Sequence, residues 1–325
     1  MKTDTADRIL AYLHENKHAR VADMVRHLGI SNQALHKQLA NLLASGVIEK
    51  TGRAPRVFYS ISKASKVEIK TDALVSDMEK FVNANYLYIT PDGRKLSGTE
   101  GFIFWCGRHK LPIVKTAHEY VRTLEPYLKL RKNNLLDGTK KIANTFDKLW
   151  LDKLYYLDFY SIERFGKTKL GQLVLYAKQS QDRKIIAELI AEVMPKISVL
   201  AENGGYDAVG FVPPSIKREV QLMKELERSS NFNLPILKIE KIATPIRVPQ
   251  KSLSKLEDRI ENARATFVVT DKNHYKKVLL IDDAVGSGAT LNELAAKIKG
   301  RGIAKKVDSL ALVGSLKGFD VISEV

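Results

Sequence analysis

Asp282 and Asp283 stand side by side at the end of the apolar run "VLLI". They are followed at once by Ala284, Val285, Gly286, Ser287, Gly288, Ala289 and Thr290, for the most part small or hydroxylated residues. A helical pattern begins near Leu291, so the backbone N–H groups of this loop converge at a helix N-terminus, where unpaired donors and the axial dipole favour a phosphate. Carboxylates beside such a cradle suit a sugar phosphate. The two acids accept bonds from vicinal ribose hydroxyls while the loop holds the 5′-phosphate. The pattern is not a dinucleotide fingerprint, because the carboxylates precede the loop and the glycine spacing is wrong. It is not a Walker loop either, because no Lys follows the last Gly. The plain alternative is a solvated turn after a strand.

Such a loop needs a rigid support. The strand-like runs "YDAVGFV", "LPILKI", "KKVLLI" and "DSLALV" alternate with the helical patterns "DRKIIAELIAEVM", "KREVQLMKELERS" and "LNELAAKIKG". That alternation predicts an α/β domain with a parallel sheet flanked by helices. In such sheets ligands bind beyond the carboxyl ends of the strands, which is where Asp282 and Asp283 fall.

With the acids and loop in place, the stretch resembles the PRPP-binding motif of type I phosphoribosyltransferases. Gly286 and Ser287 occupy the places of two usual threonines, while Gly288 and Thr290 match. Gln250, Leu253, Arg259, Asn262 and Phe267 fall in the order and spacing of the competence-associated (ComF-type) branch, and the resemblance covers about residues 166–312. It implies a type I phosphoribosyltransferase fold, Asp282 and Asp283 as catalytic acids, and residues 284–290 as the PRPP phosphate loop. Mg²⁺ would arrive with the PRPP. "FVPPSIKREVQLMKEL" takes the place of the family's pyrophosphate loop and implies Ser215, Lys217 and Arg218 as pyrophosphate ligands, the alternative being an ordinary basic helix start. Arg247, Lys251 and Arg259 are candidates to close over a substrate. The usual "RGFNQ" run and the upstream zinc cysteines of many relatives are missing.

At the other end, Thr5 to Asn16 and Val21 to Leu28 have amphipathic helical spacing, and Gly29 is placed for a tight turn. Ser31 is a good N-cap for a third helix with Leu35, Leu39, Leu42 and Leu43 inward. "VIEK" and "RVFYSIS" then alternate as strands around "TGRAP". This order resembles a winged helix-turn-helix domain of bacterial transcription regulators. The resemblance implies Asn32, Gln33, His36 and Lys37 in the major groove of double-stranded DNA, with Arg53 and Arg56 of the wing on phosphate or in the minor groove. A module for dimerisation or protein docking is the alternative.

The expected organisation is therefore a winged helix-turn-helix domain over 1–62, a middle region over 63–141, and a phosphoribosyltransferase-like α/β domain over 142–325. The middle region reads as ordered, with Tyr86, Tyr88, Phe102, Phe104 and Trp105 as core and "LKLRKNN" as a solvated helix end. In 325 residues, 53 Lys and Arg against 37 Asp and Glu give a net charge of +16. That surplus favours polyanionic partners. The charged start and the lack of any run near ~18 apolar residues point to a soluble cytoplasmic chain without membrane contact. A single cysteine, Cys106, excludes an internal disulfide, and no metal site held by the protein alone is expected.

Three functions fit these motifs. One is a DNA-binding regulator, expected as a homodimer, whose second domain binds PRPP or a nucleotide. Another is an active phosphoribosyltransferase transferring phosphoribosyl to a base. The third is a nucleotide-consuming defence or toxin effector with a nucleic-acid-sensing winged helix.

Overall fold

In "KKVLLIDD" every side chain from Val278 to Ile281 is buried, and the period-2 geometry of a strand sends them alternately to two cores. Leu279 and Ile281 pack into one apolar cluster, Val278 and Leu280 into another. A strand covered on both faces belongs in the middle of a layered α/β structure, which is where it lies. The structure, a computed structural model, describes residues 5–62, 74, 76–216, 218–242, 244–246 and 248–315. The chain divides into two compact units, residues 1–72 and 73–325.

The first unit contains α1 (Thr5–Asn16), α2 (Val21–Leu28), α3 (Asn32–Ala44) and the antiparallel pair β1 (Ile48–Arg53) and β2 (Arg56–Ile61). Ile9, Leu13, Met24, Leu28, Leu35, Leu39 and Leu42 come from three helical stripes and form its core with Ile48 and Tyr59. Gly29 ends α2 in the left-handed conformation, and the Ser31 hydroxyl caps α3 by accepting from the Ala34 amide at 3.2 Å. Tyr59 exchanges two backbone bonds with Ala19, which ties the hairpin to the start of α2.

The second unit runs α4 (Ser76–Asn85), β3 (Leu87–Ile89), β4 (Lys95–Ser97), α5 (Gly98–Arg108), α6 (Ile113–Lys129), β5 (Leu136–Asp137), α7 (Thr139–Ala143), β6 (Lys153–Phe159), α8 (Lys169–Ser180) and α9 (Arg183–Asn203). It continues through β7 (Ala208–Phe211), α10 (Leu222–Arg228), β8 (Ile239–Lys241), α11 (Leu256–Thr266), β9 (Phe267–Val269), β10 (Tyr275–Val285), α12 (Ala289–Gly300) and β11 (Ala304–Gly314). Five strands form a sheet in the order β5-β6-β11-β10-β7. All neighbours are parallel except β5 with β6, so the fold is mixed α/β around a mostly parallel sheet.

Several expectations need correction. "LPILKI" contributes only a single parallel bridge, Val209 with Ile236, before β8 pairs with β9 away from the main sheet. The sheet instead takes β6, whose "KLYYLDF" mixes aromatic and charged residues and lacks a clean strand signature. "KREVQLMKELERS" becomes helical only at Leu222. The "LKLRKNN" segment is not wholly solvated, because Arg131 makes a 2.6 Å ion pair with Asp158. Helices α4 to α6 bury Tyr86, Phe102, Trp105 and Tyr120 in a core shared with Ile162 and Phe165 after β6, with Tyr88 packed against it.

Helix α8 is held close to β6. A Cβ on Gly171 would lie 2.1 Å from the Tyr160 carbonyl oxygen, and a backbone atom cannot swing aside. Gly171→Ala is therefore expected to lower the unfolding free energy from a urea titration by an overpacking penalty of ~1 to 3 kcal/mol. Gly107 has open space around its missing Cβ, so Gly107→Ala should be neutral or stabilising in the same measurement.

Candidate functional site

The acids of "LIDDAV" lie within β10, which runs on to Val285 beside β11. Its other neighbour, β7, stops earlier, at the pairing of Ile281 with Phe211. Beyond that point one edge of β10 is uncovered, and a cleft of roughly 160 Å³ opens there. Adjacent strand residues point to opposite faces. Asp283 follows Leu279 and Ile281 toward α8, and Asp282 follows Val278 and Leu280 toward the α12 side. The cleft wraps round the end of β7 and reaches both carboxyl groups. Tyr160, Val174 and Lys178 line one side, Phe267 and Thr290 the other, with Pro213 to Ser215, Arg218 and Gln250 across the mouth.

Lys178 of α8 donates to Asp283 Oδ1 at 2.9 Å, both side chains being largely withdrawn from solvent. No local motif announces Lys178. It arrives 105 positions before its partner and faces the site only because α8 packs on β6 and β11. Asp282 Oδ1 accepts the Asp283 amide at 2.8 Å. Burial, and then the neighbouring negative charge of Asp283, push the Asp282 carboxyl far above the ordinary carboxylate range, against the opposing pull of Lys178.

This shift fixes the sign of a pH effect. The folded state holds a proton on Asp282 that the unfolded chain releases near the usual carboxylate value, so stability falls as pH rises from there toward about 8. Asn in place of Asp282 has no proton to lose. The melting temperature of Asp282→Asn should exceed that of the parent at pH 8, and the gap should narrow toward pH 5.

After Val285 the chain turns through Gly286, Ser287 and Gly288 into α12. Gly288 takes φ +79°, where a side chain is strained, and a Cβ there would lie 3.3 Å from Ile142. The Ser287 hydroxyl accepts the Ala289 amide at 3.3 Å and so holds the turn. Among the described residues, the amides of Gly286, Ser287 and Gly288 have no acceptor outside the strand ladder. Buried amides are rarely left unpaired, so this row of donors leading into α12 is unspent anion-binding capacity.

The other expected residues are placed as follows. Ser215 and Arg218 line the acid cleft and also a neighbouring cleft of roughly 600 Å³. Lys217 and Arg247 lie outside the described residues, as does the Lys251 side chain. Arg259 donates to the Leu253 carbonyl at 2.6 Å, and Gln250 donates to the Arg259 carbonyl at 3.0 Å, which together fasten residues 250–253 to α11. Among the described residues there is no cluster of three His, Cys, Asp or Glu side chains disposed to hold a metal.

In the first unit, Asn32, Gln33, His36 and Lys37 are all exposed on α3, opposite its buried leucines. Arg53 and Arg56 face each other as the last pair of the β1–β2 register, joined by Ala54 and Pro55, and both are exposed. Gly52, at φ +86°, lets the hairpin close, since a Cβ would lie 2.2 Å from the Arg56 carbonyl oxygen.

No protein-family model and no curated protein matches the chain. Among solved structures it is similar to a hypoxanthine phosphoribosyltransferase from Staphylococcus aureus, with a TM-score of 0.25 and 15% sequence identity. The match covers 39% of this chain and 64% of that one. No helix among the described residues is long and apolar enough to cross a membrane.

Proposed function

We propose that the chain is a DNA-binding regulator whose second unit, with a type I phosphoribosyltransferase fold, binds PRPP or a nucleoside monophosphate. The observation that carries the ligand reading is the juxtaposition at the end of β10: two carboxylates open to a cleft, immediately followed by a turn of unspent amides. Asp282 and Asp283 accept the ribose hydroxyls, and the amides of Gly286, Ser287 and Gly288 take the 5′-phosphate. Lys178 limits the repulsion between the paired acids and fixes the Asp283 carboxylate. Mg²⁺ comes with a diphosphate ligand, and the two carboxylates are hard oxygen donors suited to it.

The DNA reading is supported by the exposed polar face of α3 and the paired arginines at the hairpin tip. In a winged helix-turn-helix domain these surfaces meet the major groove and the adjacent backbone. A homodimer would present two such surfaces to a two-fold operator. Ligand and DNA would then be linked, each changing the affinity of the other by the same factor. Fluorescence anisotropy of genomic upstream fragments, with and without PRPP and Mg²⁺, tests this. A fragment preferred over random duplex, with ligand-dependent affinity, is expected. Equal binding to all duplexes under every ligand condition contradicts the regulator.

An active phosphoribosyltransferase is the second reading, favoured by Ser215 and Arg218 lining both the acid cleft and the cleft beside it. A cation there stabilises a departing diphosphate while an acid supports the oxocarbenium-like ribose. Pyrophosphate release from PRPP, assayed across a panel of bases, separates enzyme from sensor.

A further inference from the structure

A second polar cavity, of roughly 150 Å³, lies on the α8 and α9 side of the sheet, lined from α4, α6, β6, α8 and α9. Three cations reach it from separate segments: Arg131 after α6, Lys169 on the first turn of α8 and Lys196 on α9. Two carboxylates face them. Arg131 pairs with Asp158 at 2.6 Å and Lys196 with Glu192 at 2.6 Å. Lys169 is left over, entering no ion pair among the described residues. The Arg131 Nε is buried and has no acceptor among the described residues, so the Asp158 pair does not exhaust its guanidinium. Burial also raises the Asp158 carboxyl, with Arg131 opposing, as befits a poorly hydrated pair.

A partly open cavity with one surplus cation and an unfilled guanidinium donor has room for an acceptor that the described residues do not supply. The three cations come from separate segments of the chain, which suits the diverging oxygens of a tetrahedral anion better than one planar carboxylate. We propose that this cavity binds a small tetrahedral oxyanion of the phosphate class, held by Arg131, Lys169 and Lys196. The site is separate from the acid cleft, yet the two share α8. Lys169 at one end and Lys178 at the other are nine residues apart, ~13 Å along the helix. An anion seated on Lys169 therefore reaches the element that carries the Asp283 partner.

The test is an amide-resolved NMR titration of the full chain with inorganic phosphate, for the parent, Lys169→Met, Arg131→Lys and Thr290→Val. Lys169 is half-buried and has no ion-pair partner among the described residues, so its loss leaves no orphaned charge there and the variant should fold. Saturable shifts are expected at residues 168–170 and 192–196 and along α8 to Lys178. Lys169→Met should weaken them at least tenfold and Arg131→Lys several-fold, while Thr290→Val should leave them intact. Shifts confined to residues 284–290 would overturn the proposal while supporting the ribose phosphate site. Titration of Lys169→Met indistinguishable from the parent would also overturn it, as would no saturable shift at residues 168–170.

Discussion

Calorimetric titration of the Asp282→Asn, Asp283→Asn double variant with PRPP and Mg²⁺ should show affinity reduced at least ~100-fold from the parent. Asp283, the partner of Lys178, accepts a ribose hydroxyl through a charge-assisted bond of about 1.5 to 3 kcal/mol, and protonated Asp282 adds a neutral bond of about 0.5 to 1.5, so the pair removes about 3 kcal/mol. The side chains keep their size, so the cleft keeps its shape. Loss of binding through unfolding is guarded against in advance: Asp282 is a partly buried acid whose ionisation costs stability, so its replacement by Asn should raise the melting temperature at neutral pH. Asp283→Asn alone leaves Lys178 without its carboxylate partner, and is expected to be the less stable of the single variants. Undiminished affinity in a folded double variant would remove the acids from the site.

The second large effect concerns DNA. Replacing Arg53 and Arg56 by Ala should weaken binding to every duplex alike. It should also flatten the log–log salt dependence by up to about two units, since each phosphate contact contributes a slope of roughly −0.9. The two arginines close the hairpin register and are exposed, so they can be removed without opening a core. Gln33→Ala should act differently. If its amide reads adenine in the major groove, the substitution costs ~1 to 3 kcal/mol on the preferred sequence and far less on random duplex. Anisotropy at two salt concentrations on both kinds of duplex separates these patterns. Uniform weakening by Gln33→Ala would make α3 a backbone contact and not a reader.

Local sequence carried much of this architecture because the features concerned are local. The stripes of the first three helices, the Gly29 and Ser31 caps and the two strands of the hairpin are set within a few residues of one another. The burial of "VLLI" on both faces and the acid-then-glycine turn of β10 were legible for the same reason. What was hidden depends on distant neighbours. Lys178 belongs to the site through packing of α8, and β6 enters the sheet because β11 offers an edge, although "KLYYLDF" alone does not demand a strand. Arg131 looked like a solvated helix end until the fold brought Asp158 against it. The bond of Arg259 to the Leu253 carbonyl, which fastens the preceding loop to α11, was not legible from its spacing in the chain. "LPILKI", apolar enough for a central strand, leaves the sheet after one bridge because the chain then turns to pair with β9.

The most direct test of the central claim is a crystal structure of the chain soaked with ribose 5-phosphate. The expected density has its phosphate on the amides of Gly286, Ser287 and Gly288 at the start of α12, with ring hydroxyls within 3 Å or so of the Asp282 and Asp283 carboxyl oxygens. A fully occupied sugar phosphate bound elsewhere, with the β10 cleft holding only solvent, would contradict it.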